Sequence, residues 1–473
     1  MALALAVISC VAVGYLLVAL GWPVQSSSPY DRLLRASLSL GFGVGAFSLI
    51  FFLARVVAFT HFLIIDLVVL ALLAAAFWRR RTRSYAVDVQ PSAPPNLQLP
   101  PWLDRVVVAC FALALAAALY SAVLRSIVHP HGDGWDAFAI WNLHARFLFR
   151  GGEHWRDGFS SLIPWSHPDY PLLLPSAVAH FWSVLGHETT VVPAVIGLAF
   201  TFSTLALLYS SLAVVQGRTI AMLGAIALAS TPFFVEQGSS QYADVPVSFF
   251  FLAVIVLLQI SEEHTAEPSP SCGLLVLAGM AAGFAIWTKN EGMLFLCAIV
   301  VAQIIVRSRQ WVHRLPIFLA AVAPFVLLVT WFKHSVAFPN ELFSNQPTML
   351  HKILDHSRYW AILQWFSKDF VRFGGWWLVP GTLVLLVFHF AVKGKRDAHA
   401  SHRNYTSVLT LAFMLAGYFA IYVITPYDLY WHLRFSLNRL LLQLWPCAIY
   451  LVFLAIVPKV AHKSQIGTKF GEN

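Results

Sequence analysis

Residues 104–136 read DRVVVACFALALAAALYSAVLRSIVHPHGDGWD, and this stretch decides the fold. Between Arg105 and Arg125 run nineteen residues with no charge, mostly Ala, Leu and Val. A helix of roughly 20 apolar residues crosses the hydrocarbon core of a bilayer. The run ends directly in a polar, Gly-rich, Trp-containing loop that carries Asp133 and Asp136. The unit is therefore a membrane span that delivers carboxylates to one membrane surface.

The rest of the chain extends this pattern. Hydrophobic residues make up 59% of the 473 and charged residues 11%, with a mean hydropathy of +0.71. So few charges cannot cover a soluble core of that size, whereas lipid solvates it directly, which excludes a soluble globular protein. The expected class is an all-α polytopic membrane protein. About thirteen candidate spans fall near 2–21, 36–55, 57–78, 104–125, 190–214, 218–234, 243–260, 272–288, 291–307, 316–332, 375–394, 406–424 and 437–457. The N-terminal run has no basic region before it and no small-residue cleavage pattern, so it reads as a first span. The net charge of +9 comes from basic residues that flank apolar runs. That placement records orientation, not nucleic-acid binding. Five cysteines with no CxxC spacing support neither a disulfide framework nor a zinc site.

Arg79, Arg80, Arg81, Arg83 and Arg105 place the 79–103 connection in the cytoplasm by the positive-inside rule. The short run 171–186, PLLLPSAVAHFWSVLG, is read as lying in the membrane interface. With that reading every other basic connection also faces inward, whereas a crossing at 171–186 would turn them all outward. Four segments then lie outside: 126–189, 235–242, 333–374 and 425–436, together with the 288–291 turn. The chain divides into a three-helix part (1–78), a Pro-rich cytoplasmic linker (79–103), a module 104–332 with its first outer loop at 126–189, and a C-terminal part (333–473) with a further outer loop and three spans.

Polar residues able to do chemistry concentrate on the outer side. Asp136 begins a stretch, 137–150, patterned as an interfacial amphipathic helix. It serves either as a general base at the membrane surface or as the cap of that helix. His129, His131 and Asp133 form an H-x-H-x-D string that reads as a metal site or as a plain polar loop. The prolines of Trp165–Pro175 hold the chain extended and put His167, Asp169 and Tyr170 at the surface. Asp244 stands at the outer end of a span, where an unpaired acid is costly. Lys289 either faces a phosphate or pairs with Glu291. Asp428, His432, Arg434 and Arg439 share the last outer turn, and aromatic-belt anchoring does not account for its two arginines.

Taken in order, Asp136, the helix 137–150, Tyr170-Pro171-Leu172, Asp244, Gly283…Thr288-Lys289 and Arg439-Leu-Leu-Leu-Gln-Leu-Trp-Pro446 resemble the membrane glycosyltransferases of the GT-C superfamily. The likeness is to bacterial relatives of protein O-mannosyltransferases and of lipid A aminoarabinose transferases. It spans roughly 104–310, and 375–457 more loosely. Ala137 stands where the family often has Glu, and the family's Lys before the paired prolines is missing, leaving His167 or Tyr170 in its place. The resemblance implies a GT-C-like fold with interfacial helices in its outer loop. It also implies transfer of a sugar from a polyprenyl-phosphate-linked donor to an extracytoplasmic lipid, glycan or protein.

By that resemblance Asp136 is the catalytic base, with Asp133 competing for the role. Lys289, Arg439 and His167 face the departing phosphate, and Tyr170, Asp244 and His432 complete the substrate-binding set. Asp244 orients a sugar or holds a divalent cation; no metal ligands and no other cofactor are assigned. The expected location is the cytoplasmic membrane, with the active site facing outward among membrane lipids and no nucleic acid as partner. The alternative from another class is a transporter or flippase of lipid-linked intermediates. It calls for ionisable residues at mid-membrane, and Asp66 is the clear mid-span charge.

Overall fold

The computed structural model describes residues 1–22, 28–83, 97, 99–263, 270–339, 349–376 and 398–455. Among these the regular structure is helical, with no strand. Among the described residues nine helices are long and apolar enough to cross a membrane, or ten if one bent pair counts as a span. The expected span 272–288 is an apolar helix shorter than that standard. The expected span at 375–394 falls almost wholly outside the described residues.

The chain opens with α1 (Ala2–Gly21), α2 (Pro29–Val56) and α3 (Phe62–Arg83). Ser28 starts α2 by accepting from Tyr30 N at 3.3 Å, with Pro29 in the first turn. The α1 and α2 backbones touch: a Cβ on Gly14 would collide with the Ser39 carbonyl, and one on Gly43 with that of Cys10. Small residues at crossings give membrane helices the close approach that dispersion needs. α4 (Pro101–Val128) buries only Val107, Ala118 and Ala122 along its length, so most of it is left for lipid.

Past the polar loop, a π-helical turn (Ala137–Trp141) leads into α5 (Asn142–Arg150), an amphipathic helix as expected. α6 (Leu173–Leu185) is too short to span. It does not cross, as expected for 171–186, and protein covers it. Leu173 through Trp182 are all buried, because α6 packs against α1, α2 and α5 and so is covered by protein. His180 on α6 sits among the rings of Phe47, Phe51, Phe62 and Phe181. Its Nε2 lies 3.1 Å from the Asp66 carboxylate, off hydrogen-bonding alignment, and both side chains are fully buried. The N-terminal three helices thus clasp the α6 segment.

Beyond α6 come α7 (Val191–Gln216), then α8 (Arg218–Ala229) and α9 (Pro232–Ser239), which bend by 67° where Pro232 interrupts the run. α10 (Asp244–Glu263) is the central helix, its apolar window buried throughout. α11 (Pro270–Thr288) and α12 (Glu291–Ser335) form a hairpin around Lys289 and Asn290, with α12 kinked at Arg307 (φ −136°, ψ 34°). Then follow α13 (Met349–Leu354), the amphipathic α14 (His356–Arg372), α15 (Ala398–Ile424) and α16 (Leu429–Leu454). α16 begins at Leu429, not at 437, because the Asp428 side chain accepts from Trp431 N at 2.8 Å and caps it. His432, Arg434 and Arg439 dilute the apolar signal of those early turns. Arg439 accordingly sits well inside a helix, and the turn shrinks to the residues just before Asp428.

Candidate active site

Gly132 and Gly134 both have left-handed φ, +86° and +99°, a region open to glycine at little cost. They turn the chain sharply after α4 and lead to Asp136. That residue has helical backbone angles and its side chain makes no capping bond, so it does not serve as a cap. Its carboxylate instead lies 2.7 Å from Arg439 Nη2.

Arg439 is the clasp of the site. The same Nη2 lies 2.9 Å from Asp244 Oδ2, and Nε donates to that oxygen at 2.9 Å. The guanidinium also rests over the Tyr242 ring, 4.7 Å from its centroid. Asp244, at the first turn of α10, is fully buried. Its Oδ1 accepts from Lys289 Nζ at 2.9 Å and from Gln443 Nε2 at 2.8 Å. Glu291 closes the group, 3.0 Å from Lys289 and accepting from Gln443 at 3.1 Å. Lys289 therefore pairs with Glu291 and Asp244 together. Burial alone would weaken its charge, but the two carboxylates outweigh that and hold its pKa above the ordinary lysine value. A buried carboxylate tolerates this depth only when its lone pairs are met, and four donor contacts do so here.

This ring of donors bears on the cation alternative for Asp244. Divalent cations take shells of several oxygens, whereas both Asp244 oxygens already accept from cationic or amide nitrogen. Among the described residues, no group of three or more His, Cys, Asp or Glu side chains is placed to hold a metal ion. The string His129, His131, Asp133 does not converge: Asp133 pairs with Arg125, which also reaches Glu236 at 3.3 Å. Of the two competing aspartates, Asp136 faces the Arg439 cluster and Asp133 faces the end of α4.

Tyr170 adjoins the cluster in a stack of three rings. His167 lies on one side (4.7 Å between centroids, 12° between planes) and Trp141 on the other (5.5 Å, 25°). Burial pushes the Tyr170 hydroxyl well above the ordinary tyrosine range, and the charges of Glu291, Asp169 and Asp136 push it further. Tyr242, raised by burial and by Asp136, is pushed up to about 12. Both remain hydrogen-bond donors at neutral pH. His167 has a left-handed backbone (φ 49°), a strained state for a non-glycine residue. Its loop is backed by buried His144, whose Nε2 is 3.2 Å from Ser166 Oγ. Burial, with a smaller contribution from His167, pushes His144 down to about 3.

Beyond this stack Asn290 donates to Asp169 at 2.8 Å and accepts from Lys333 at 2.6 Å. Lys333 also stands 3.7 Å from Asp169. His432 is held apart from the carboxylates. Its Nδ1 is 2.8 Å from Thr425 Oγ1, and the Tyr422 ring lies 4.9 Å away. Arg434 is exposed. Two cavities flank the cluster. One, of about 20 Å³, is bounded by Pro164, His167, Asp169, Phe338 and Tyr427. The other, of about 210 Å³, includes His131, Asn142, Arg146, Glu188 and Gln241 in its walls.

Sequence reasoning passed over Gln443, Asn290, Lys333 and Tyr242. A usable signal existed for Gln443. His432, Ser436, Arg439 and Gln443 recur at helical spacing on α16 and form one polar stripe on an otherwise apolar helix.

Residues 167–333 match the family described as dolichyl-phosphate-mannose-protein mannosyltransferase, which is of GT-C type. The match, confined to that segment, supports a GT-C superfamily membrane glycosyltransferase. It covers α6 to α12 with the His167–Tyr170 segment, Asp244 and Lys289. Asp136 and Arg439 lie outside the matched span, yet Arg439 joins Asp136 to Asp244 within it. No curated protein and no solved structure matches the chain.

Proposed function

We propose that the protein transfers a sugar from a polyprenyl-phosphate-linked donor to a hydroxyl acceptor at the extracytoplasmic face of the cytoplasmic membrane, with inversion at the anomeric carbon. The observation that carries this reading is the joining of Asp136, Arg439, Asp244 and Lys289 into one contact network, in a chain whose 167–333 segment is of mannosyltransferase type.

The acceptor oxygen attacks the anomeric carbon while the bond from that carbon to the donor phosphate oxygen breaks. The electron pair leaves on polyprenyl phosphate, and the acceptor proton passes to Asp136. A positioned carboxylate base of this kind contributes ~10²–10⁴-fold. Negative charge grows on the departing phosphate, where preorganised cations are worth most. Arg439 and Lys289 supply that field, and the neutral Tyr170 hydroxyl adds a donor. Protonation of Asp136 weakens its hold on Arg439, so base and electrophile are coupled through one guanidinium. Asp244 fixes the geometry of both cations. Lys333, beside Asp169, takes the place of the lysine that the family carries before its paired prolines.

A transporter needs ionisable groups along a mid-membrane path. The mid-span Asp66 is instead closed in with His180 among aromatic rings, which favours chemistry at one face.

The test is incubation of the purified protein in nanodiscs with a panel of polyprenyl-phosphate hexoses and pentoses plus an envelope glycolipid extract. Release of polyprenyl phosphate together with a new glycosidic linkage of opposite anomeric configuration is expected. No release with any donor, from protein that is folded, contradicts the proposal.

A further inference from the structure

The larger cavity, of about 210 Å³, lies between the start of the 130–142 segment, α6 and the N-terminus of α7. It holds none of the cations or carboxylates of the proposed reacting centre, yet it shares two walls with it. On one wall the chain runs from His131 at the cavity through Asp136 at the cluster and back to Asn142 at the cavity. On the other, Gln241 lines the cavity while Tyr242 and Asp244, next along the chain, face Arg439.

The lining is built, not incidental. Gln241 keeps a left-handed backbone (φ 62°), and both ends of its side chain are engaged. Its Oε1 accepts from Asn142 Nδ2 at 2.7 Å and its Nε2 donates to the Pro130 carbonyl at 3.1 Å. Opposite, Glu188 is held by Arg150 through two bonds, one of 2.6 Å. Among the described residues Arg146 meets Glu188 alone, through Nε at 3.4 Å. Its terminal nitrogens, the Asn142 carbonyl oxygen, the Thr190 hydroxyl and the His131 ring are thus donors and acceptors that can turn to a ligand.

Alternating donors and acceptors in a space of one ring suit a hydroxyl-rich ligand, whose oxygens both give and take hydrogen bonds. An apolar lipid tail would leave those groups unmet at a cost for each. We propose that this cavity binds one pyranose ring of a saccharide acceptor, and so presents a hydroxyl across the Gln241 wall toward Asp136. The word acceptor rests on the sugar-transfer reading; the binding of a pyranose ring here does not.

The experiment measures binding without turnover. Saturation-transfer-difference NMR is recorded on the full chain in nanodiscs with methyl α-D-mannopyranoside, methyl α-D-glucopyranoside and methyl β-D-galactopyranoside as separate probes. At least one glycoside is expected to bind saturably. Arg146→Ala, which leaves Glu188 on Arg150, should weaken that binding at least fivefold, and Glu188→Gln should weaken it as well. Asp136→Asn should bind as the unaltered protein does. Binding of none of the three overturns the proposal, as does binding indifferent to Arg146→Ala. Binding lost in Asp136→Asn but kept in Arg146→Ala puts the ring in the reacting centre and overturns it too. Since no donor is present, a protein that binds glycosides yet fails to transfer sugar would count against the transfer reading alone.

Discussion

Arg439 holds its guanidinium 2.7 Å from the Asp136 carboxylate, joining the loop after α4 to the last described helix of the chain. The contact would be an ordinary ion pair if Arg439 did not also grip Asp244 through two nitrogens. One planar fork thus fixes two carboxylates that arise from different elements. Lysine has a single point of charge and cannot reproduce that fork.

Arg439→Lys is therefore expected to lower kcat by about 10²-fold or more, close to the loss in Arg439→Ala, because it removes a preorganised transition-state donor. Initial rates of polyprenyl phosphate release at matched protein levels give the measurement. A loss under tenfold in Arg439→Lys would show that charge alone suffices.

Asp133 and Asp136 differ in what they face. Asp133 lies against Arg125 at the end of α4, so Asp133→Asn should keep kcat within about tenfold, outside the range of a lost general base. The same rate assay distinguishes the two aspartates.

The membrane fold was legible in the sequence because apolar runs near span length leave little alternative. The grouping of Asp136, Asp244, Lys289 and Arg439 was legible as far as their shared side of the membrane. Which aspartate meets Arg439 was not, since that depends on how two glycines turn the loop at 132–134. The surroundings of α6 were also hidden. A 13-residue apolar helix reads alike whether lipid or protein covers it, and two of the covering helices, α1 and α2, lie more than a hundred residues upstream. Asn290 and Lys333 escaped notice because a lone Asn in a turn and a Lys near a helix end are ordinary features. Only packing brings both to Asp169.

His144 links pH to stability. Its pKa in the folded protein is pushed down to about 3 from the ordinary 6.5, chiefly by burial. The unfolded chain thus binds the proton more readily, and stability falls with acidification. The contribution is full above about pH 6.5 and is lost as pH drops toward about 3. Melting midpoints measured from pH 7.5 to 4.5 should decline less steeply in His144→Gln than in the unaltered protein. Parallel slopes would assign the acid sensitivity elsewhere.

Asp66 and His180 give a prediction about the N-terminal helices. Asp66→Ala takes away the carboxylate 3.1 Å from His180 Nε2, and stripping a polar neighbour from a buried polar group costs up to about 1–3 kcal/mol. Thermal unfolding in detergent should shift down by a corresponding amount. Asp66→Asn, which keeps a polar atom near Nε2, should shift it less. Equal midpoints for all three proteins would mean that the close approach of the pair contributes nothing to holding α6.

Tyr170 stays protonated across the working range because burial and the neighbouring carboxylates raise it well above 10. Tyr170→Phe should lower kcat while leaving the shape of the pH–rate profile between pH 5 and 9 unchanged. A profile that loses a limb in the variant would identify tyrosinate chemistry that the arrangement does not predict.

The most direct measurement is single-turnover sugar transfer by Asp136→Asn in nanodiscs, with polyprenyl phosphate binding measured on the same preparation. Loss of ~10²–10⁴ in the rate of transfer, with product binding retained, is the predicted result. A variant that transfers sugar at the unaltered rate would contradict the assignment of Asp136, and with it the account of how the Arg439 network works.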